Sequence, residues 1–168
     1  MKASLLLLIG LFNFNFIIGQ EVQNPEFQER LNTLLENNVP VYDVKTAYSE
    51  CDEVLFLDAR ELEEYETSHI PNAKHIGYNH FKLSNLEGVA KNQKIIVYCS
   101  VGYRSEKLTN RLIKEGYSNV FNLYGSIFEW ANLEYPLEDK QGNSTSKVHT
   151  YNKAWSKWVD HPNIVKVW

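Results

Sequence analysis

Cysteine, basic patches and metal-ligand clusters are all scarce in this chain. It has only two cysteines, Cys51 and Cys99, so it is not a small scaffold held together by many disulfides. Cys51 lies in a polar stretch before one predicted strand and Cys99 ends another, so we expect both to be free; a bridge between them would regulate or abolish the function. The two cysteines and five histidines show no ligand spacing, and we predict no metal and no cofactor. The formal net charge of -4, without a basic stripe, argues against a nucleic-acid partner.

Long hydrophobic runs are also lacking, apart from one at the N-terminus. Lys2 precedes a leucine-rich and phenylalanine-rich run that ends at a small residue, and this pattern predicts a signal peptide over residues 1–19. Cleavage there would leave Gln20 as the new N-terminus of a periplasmic or secreted protein, without further membrane contact. A retained membrane anchor is the alternative, but the run is short for a membrane span, and Asn13 and Asn15 interrupt it.

The rest of the chain has the length of one domain with extensions at both ends. We assign residues 20–38 to an N-terminal extension with a docking helix and residues 39–137 to the domain. Residues 138–168 form a C-terminal extension, predicted as a polar linker followed by a helix that carries Trp155 and Trp158. Those rings could dock the helix on the domain, offer a surface to a partner, or form a wall over the active site.

Strand-like and helix-like patterns alternate along the domain, which predicts an α/β fold with a mainly parallel sheet. The predicted strands are residues 39–44, 54–57, 74–77, 95–98 and 120–123. The predicted helices are residues 45–50, 61–66, 79–86, 105–116 and 126–132. Ligands of such sheets bind at the carboxyl ends of the strands, where we expect Asp58, Arg60 and Cys99.

Cys99 stands between an apolar strand at residues 95–98 and a helix, in the sequence KIIVYCSVGYRS. The first amides of a helix have no intrahelical acceptor, so they can stabilise a thiolate or a persulfide. Hydrogen bonds to a charged acceptor contribute about 1.5–3 kcal/mol each, more than the helix dipole alone. Arg104 adds a fixed cation, and Gly102 permits close backbone approach. We therefore predict a lowered Cys99 pKa; the alternative is an inert cysteine at the end of a buried strand.

Two stretches together resemble the rhodanese family of sulfurtransferases. One runs from LDARE to HIPNA over residues 57–73, and the other is YCSVGYRS at residues 98–105. A weaker match runs from LYGS to YPL over residues 123–137. The resemblance covers residues 39–137 and implies a three-layer fold, in which helices flank a five-stranded parallel sheet and the Cys99 loop is the active site.

The resemblance also implies the chemistry. Cys99 would take sulfane sulfur from a small donor such as thiosulfate or polysulfide, and pass it from a persulfide to cyanide, a thiol or a protein acceptor. The substrate-binding residues that it implies are Ser100, Val101, Gly102, Tyr103, Arg104, Asp58 and Arg60. For Asp58 and Arg60 the alternative is a salt bridge that orients neighbouring loops. His69 and His75 resemble turn and strand residues rather than catalytic bases.

Two other functions stay open at this point. The first is a binding or sulfur-carrier module that uses the fold only as a scaffold, although such modules usually lack the cysteine. The second is a phosphatase or arsenate reductase, whose loops are similar but one residue longer than the six residues from Cys99 to Arg104. Val101 and Tyr103 make this loop poor in charge. We therefore expect modest thiosulfate:cyanide activity and a different donor in the cell.

Overall fold

The computed structural model describes residues 21–168. The predicted signal peptide, residues 1–19, and Gln20 after it lie outside the described residues. Within residues 21–168, no helix combines the length and the apolar character needed to cross a bilayer.

Residues 21–168 form five α-helices and seven strands, together with two short 3₁₀ turns at Leu83–Leu86 and Ser156–Trp158. The helices are α1 (Pro25–Leu34), α2 (Val44–Ser49), α3 (Leu62–Thr67), α4 (Tyr103–Lys114) and α5 (Ser126–Asn132). The strands are β1 (Val41–Tyr42), β2 (Leu55–Asp58), β3 (Lys74–His75), β4 (Ile95–Tyr98), β5 (Val120–Leu123), β6 (Lys147–His149) and β7 (Val165–Val167).

β4 lies in the middle of a five-stranded sheet with the order β1-β5-β4-β2-β3, in which every pair is parallel. All of β4 is buried, as expected for a strand covered by helices on both faces. The predicted α/β class, with a parallel five-stranded sheet between helices, is confirmed.

Alternate residues of β4 enter two separate cores, because successive side chains of a strand point to opposite faces. Ile96 and Tyr98 pack with residues of α1, α2 and α5. Ile95, Val97 and Cys99 pack with residues of α4 on the other face. The end of this strand is therefore fixed from both sides, which holds Cys99 in a defined place.

The helix predicted at residues 79–86 is wrong. Only Leu83–Leu86 is helical, as a single 3₁₀ turn. The side-chain oxygen of Asn85 accepts the backbone N–H of Lys82 at 2.9 Å, a bond that caps the start of this turn.

The linker and the Trp-rich helix predicted for the C-terminal extension are also wrong. β6 and β7 pair in parallel as a small second sheet, and the tryptophans lie on turns between them. The side chain of Asn152 accepts the N–H groups of Ala154 and Trp155, as an N-cap does, but only Ser156–Trp158 is helical, as a 3₁₀ turn. Docking by an aromatic ring is nevertheless present, since Trp158 stacks on Phe27 of α1 with ring centroids 5.5 Å apart.

Candidate active site

Cys99 lies directly after β4, and its side chain is almost fully buried at the start of α4. The Gly102 N–H donates to the Cys99 Sγ at 3.2 Å. Gly102 has φ +116°, a backbone conformation that residues other than glycine rarely adopt. The glycine therefore allows the turn that brings its N–H to the sulfur. The N–H groups of Ser100, Val101, Tyr103 and Arg104 have no acceptor among residues 21–168.

The first turn of α5 holds the loop in this orientation. The N–H groups of Ile127 and Phe128 donate to the carbonyls of Cys99 and Ser100, both at 3.2 Å. In a planar trans peptide the N–H points opposite to the C=O, so the amides that follow these carbonyls point away from α5. The Cys99 N–H itself donates to the Ser126 hydroxyl at 3.2 Å.

Ser105 and Asn122 connect the loop to β5. The Ser105 Oγ lies 2.7 Å from the Asn122 Oδ1 and 3.5 Å from the Cys99 Sγ. One hydroxyl proton cannot serve both acceptors fully, so Ser105 can turn it from the amide toward the sulfur when the thiolate forms. The Asn122 side-chain N–H donates to the Gly102 carbonyl at 3.1 Å, which fixes the turn.

Arg104 is held by a buried carboxylate that the sequence did not reveal as a partner. Its two terminal nitrogens each donate to one oxygen of Glu64 at 2.7 Å, and one of them also donates to the Ser100 hydroxyl at 2.9 Å. Burial raises the pKa of Glu64, but the hydrogen bonds and charge of Arg104 outweigh it, so the pKa is lowered overall. The loop cation is therefore largely compensated where it stands.

Opposing effects act on the Cys99 pKa. Burial raises it, while the Arg104 charge, the Ser105 hydroxyl and the N–H groups of Ser105 and Gly102 lower it, and the lowering effects prevail. The direction is the one predicted from the sequence. Among the lowering effects the Arg104 charge comes first, ahead of the Ser105 hydroxyl and the two backbone amides.

Asp58 and Arg60 do not meet the expectation that they bind substrate. Both are fully buried and form an ion pair at 2.6 Å, and Arg60 also donates to the Ser68 carbonyl at 2.6 Å. They connect the end of β2 to the segment after α3, as the alternative role in orienting loops predicts. Their residue types could not reveal this, because a paired arginine and a substrate-binding arginine look alike in a sequence.

The ring nitrogens of both histidines of the motif contact backbone carbonyl groups. His69 Nδ1 is 3.0 Å from the Tyr65 carbonyl, and His75 Nε2 is 2.9 Å from the Arg60 carbonyl. Within residues 21–168, no group of three or more His, Cys, Asp or Glu side chains is arranged to hold a metal ion.

A cavity of about 430 Å³ opens above Cys99. Its lining residues are Leu34, Glu61, Tyr78, Asn79, Cys99, Ser100, Val101, Tyr103, Arg104, Tyr151 and Trp155. Trp155 forms part of the wall over this site, which is one of the three roles considered for the C-terminal aromatic residues. Tyr151 forms part of the same wall. Leu34, Glu61, Tyr78 and Asn79 gave no signal in the sequence, since only the fold brings them to the cavity.

Both cysteines are free in the structure. Cys51 is exposed in the turn after α2, whereas Cys99 is buried at the site. Cys51 is therefore a natural control for experiments on the buried thiol.

Comparisons with known proteins identify the family of this domain. The family model described as Rhodanese-like domain matches residues 41–133. A curated relative from Aster yellows witches'-broom phytoplasma, named tRNA uridine(34) hydroxylase, is 34% identical over 116 residues, which are 61% of this chain and 38% of that protein. The thiosulfate sulfurtransferase GlpE of Coxiella burnetii is 29% identical over 92 residues, 54% of this chain and 83% of that protein.

Solved structures agree with the fold. A protein from Bacillus halodurans superposes with a TM-score of 0.57 at 22% identity, over 71% of this chain and 89% of that one. The chain spans well under half the length of the first curated relatives, at 38% of the phytoplasma protein, so their whole activities do not transfer directly. The match over residues 41–133 covers more than half of the sequence, and the chain belongs to the rhodanese-like domain family.

Proposed function

We propose that this protein is a sulfurtransferase that carries sulfane sulfur as a persulfide on Cys99. The observation that supports this most is the position of the Cys99 Sγ, which accepts the Gly102 N–H at the base of an open cavity. The loop amides of Ser100, Val101, Tyr103 and Arg104, which have no acceptor in the described part of the chain, can bind a second sulfur.

The reaction needs two displacements at sulfur. The Cys99 thiolate attacks the outer sulfur of thiosulfate, the S–S bond of the donor breaks, sulfite leaves with the electron pair, and a Cys99 persulfide forms. Cyanide or a thiolate then attacks the outer sulfur and regenerates the Cys99 thiolate. The lowered Cys99 pKa favours the reactive thiolate without a separate general base.

Phosphoryl chemistry fits less well. Six residues run from Cys99 to Arg104, and Glu64 occupies both terminal nitrogens of Arg104, which a phosphatase loop would need for phosphate oxygens. A non-catalytic module does not require a thiol with a lowered pKa, and here Cys99 has one.

The hydroxylase named among the relatives is a second candidate, favoured by 34% identity over the shared segment. The net charge of -4 and Glu61 at the cavity oppose binding of a polyanion such as tRNA. We therefore rank sulfur transfer first.

Thiocyanate formation from thiosulfate and cyanide tests this proposal. We expect Cys99→Ser to abolish it, because the nucleophile is gone, and Cys51→Ser to retain it, because that thiol is exposed and remote. Equal thiocyanate formation by wild type and Cys99→Ser would remove Cys99 from the mechanism.

A further inference from the structure

The cavity above Cys99 is poor in positive charge. Among residues 21–168, Arg104 is the only basic residue that lines it, and Glu64 neutralises Arg104 through two 2.7 Å contacts. Glu61 also lines the cavity, so its wall carries a carboxylate that is not paired with a lysine or arginine in residues 21–168. With Cys99 as thiolate, a dianion such as thiosulfate meets two like charges and one compensated cation.

Apart from Asn79 and Ser100, the remaining wall around Cys99 consists of apolar and aromatic side chains. Leu34 comes from the end of α1, Tyr103 from the start of α4, and Tyr151 and Trp155 from the C-terminal extension. The Arg30 guanidinium lies over the Trp155 ring, 5.5 Å from its centre, and helps to fix that ring. Three chain segments that are distant in sequence therefore build an apolar chamber over one sulfur atom.

Tyr151 is exposed, but its backbone is held in a defined conformation. Its φ is +66°, uncommon for a tyrosine, and its N–H donates to His149 Nδ1 at 3.1 Å. The ring lies 5.6 Å from the Arg104 guanidinium, directly beside the sulfur-binding loop. An exposed tyrosine held in an uncommon backbone conformation beside the loop arginine is placed to contact a ligand in the cavity.

We infer that the site prefers a sulfur donor with an apolar, preferably aromatic, carrier group and a single negative charge over the thiosulfate dianion. This inference rests on the proposed function. With an organic thiosulfonate the Cys99 thiolate attacks the outer sulfur, the S–S bond breaks, and the organic sulfinate leaves with the electron pair. The persulfide formed is the same as with thiosulfate, so only donor recognition differs.

Three donors separate charge from apolar contact: thiosulfate, methanethiosulfonate and benzenethiosulfonate. The first is a dianion, the second a monoanion without a ring, and the third a monoanion with one. We expect kcat/KM, measured by thiocyanate formation with cyanide, to be at least tenfold higher for benzenethiosulfonate than for thiosulfate. Because the leaving groups differ in intrinsic reactivity, the decisive quantity is the change in this preference between variants.

Tyr151→Ala and Trp155→Leu each remove one aromatic ring from the cavity wall. Both residues lie in the C-terminal extension, outside the five-stranded sheet. We expect each to lower kcat/KM for benzenethiosulfonate several-fold while methanethiosulfonate changes little. Trp168→Ala is the matched control, since this ring is exposed and lies outside the cavity above Cys99. Far-ultraviolet circular dichroism identifies any variant that has not folded, and Tyr151, which is more than half exposed, is the safer substitution.

The outcomes separate the two claims. Suppose that all three donors are turned over and that the ratio of kcat/KM for benzenethiosulfonate to that for methanethiosulfonate is the same in wild type, Tyr151→Ala and Trp155→Leu. That result would overturn the donor preference and leave sulfur transfer intact. Turnover of thiosulfate equal to or better than that of benzenethiosulfonate would also overturn it. Absence of thiocyanate from every donor, in a folded wild-type protein, would instead refute the sulfurtransferase itself.

Discussion

The reactivity of Cys99 follows from a balance between burial and a few close partners. Burial opposes ionisation of the thiol, and the Arg104 charge is the largest effect that favours ionisation. Glu64 holds that charge in place through both guanidinium nitrogens. The carboxylate therefore positions the cation and at the same time weakens its field at the sulfur.

Replacing Arg104 tests this balance. Thiolate reactivity rises with pH through the Cys99 pKa, and loss of the cation, which leaves Glu64 as an uncompensated negative charge, raises that pKa. In a Cys51→Ser background we expect Arg104→Gln to move the pH midpoint of iodoacetamide alkylation upward. Arg104→Lys, which keeps the charge, should move it less. A midpoint that is the same in the Gln variant and its parent would show that the backbone amides alone set the thiol pKa.

At the scale of elements, α5 has two roles. Its first turn binds the carbonyls of the Cys99 loop, as described above, while Glu129 on the same helix is buried on the far side. Burial raises the pKa of Glu129 to about 7, and nearby Asp160 adds to this, while the Gln23 N–H, Asn132 and Lys45 oppose it. The helix that supports the site therefore carries a carboxyl group that ionises near neutral pH.

This carboxyl group predicts a pH-dependent stability. Between the unfolded value of 4.5 and the folded value of about 7, the folded state keeps a proton that the unfolded state has released. Stability therefore falls as pH rises through that window, and no further loss follows once both states are ionised. We expect the Tm of Glu129→Gln to fall less than that of wild type between pH 5 and about pH 8. The exposed Glu87→Gln should follow wild type, and an identical pH dependence in all three proteins would contradict the assignment.

At the scale of the whole molecule, the C-terminal extension is part of the main core. Val148, Trp158 and Val159 belong to the same buried cluster as Phe27 and Phe128. The extension thus joins the N-terminal helix to the sheet and also supplies the aromatic wall of the cavity.

Truncating Trp158 tests this joint role in stability. Deleting a large buried aromatic side chain typically costs about 3–5 kcal/mol, and this ring also stacks on Phe27. We expect Trp158→Ala to lower the free energy of unfolding, measured by urea denaturation, by about 3 kcal/mol. Trp168→Ala removes a ring that is 59% exposed and should change it by less than about 0.5 kcal/mol. Equal effects of the two substitutions would show that the extension is not packed into the core.

The sequence predicted those parts of the fold that depend on residues close together in the chain. The apolar run of β4, the Cys99 loop and the helix after it were found because strand, turn and helix signals stand next to each other. The sequence did not predict that Glu64 pairs with Arg104 or that Tyr151 approaches the site. Both contacts join segments that are far apart in sequence. The spacing of the C-terminal tryptophans predicted a helix, but only the 3₁₀ turn Ser156–Trp158 forms there.

The central claim is that Cys99 carries sulfane sulfur, and intact-mass spectrometry tests it most directly. After incubation with a sulfur donor and removal of the excess, wild type and Cys51→Ser should each gain the mass of one sulfur atom. Cyanide should remove that mass, and Cys99→Ser should never acquire it. A cyanide-sensitive sulfur on Cys99→Ser, or none on wild type with any donor, would contradict the assignment.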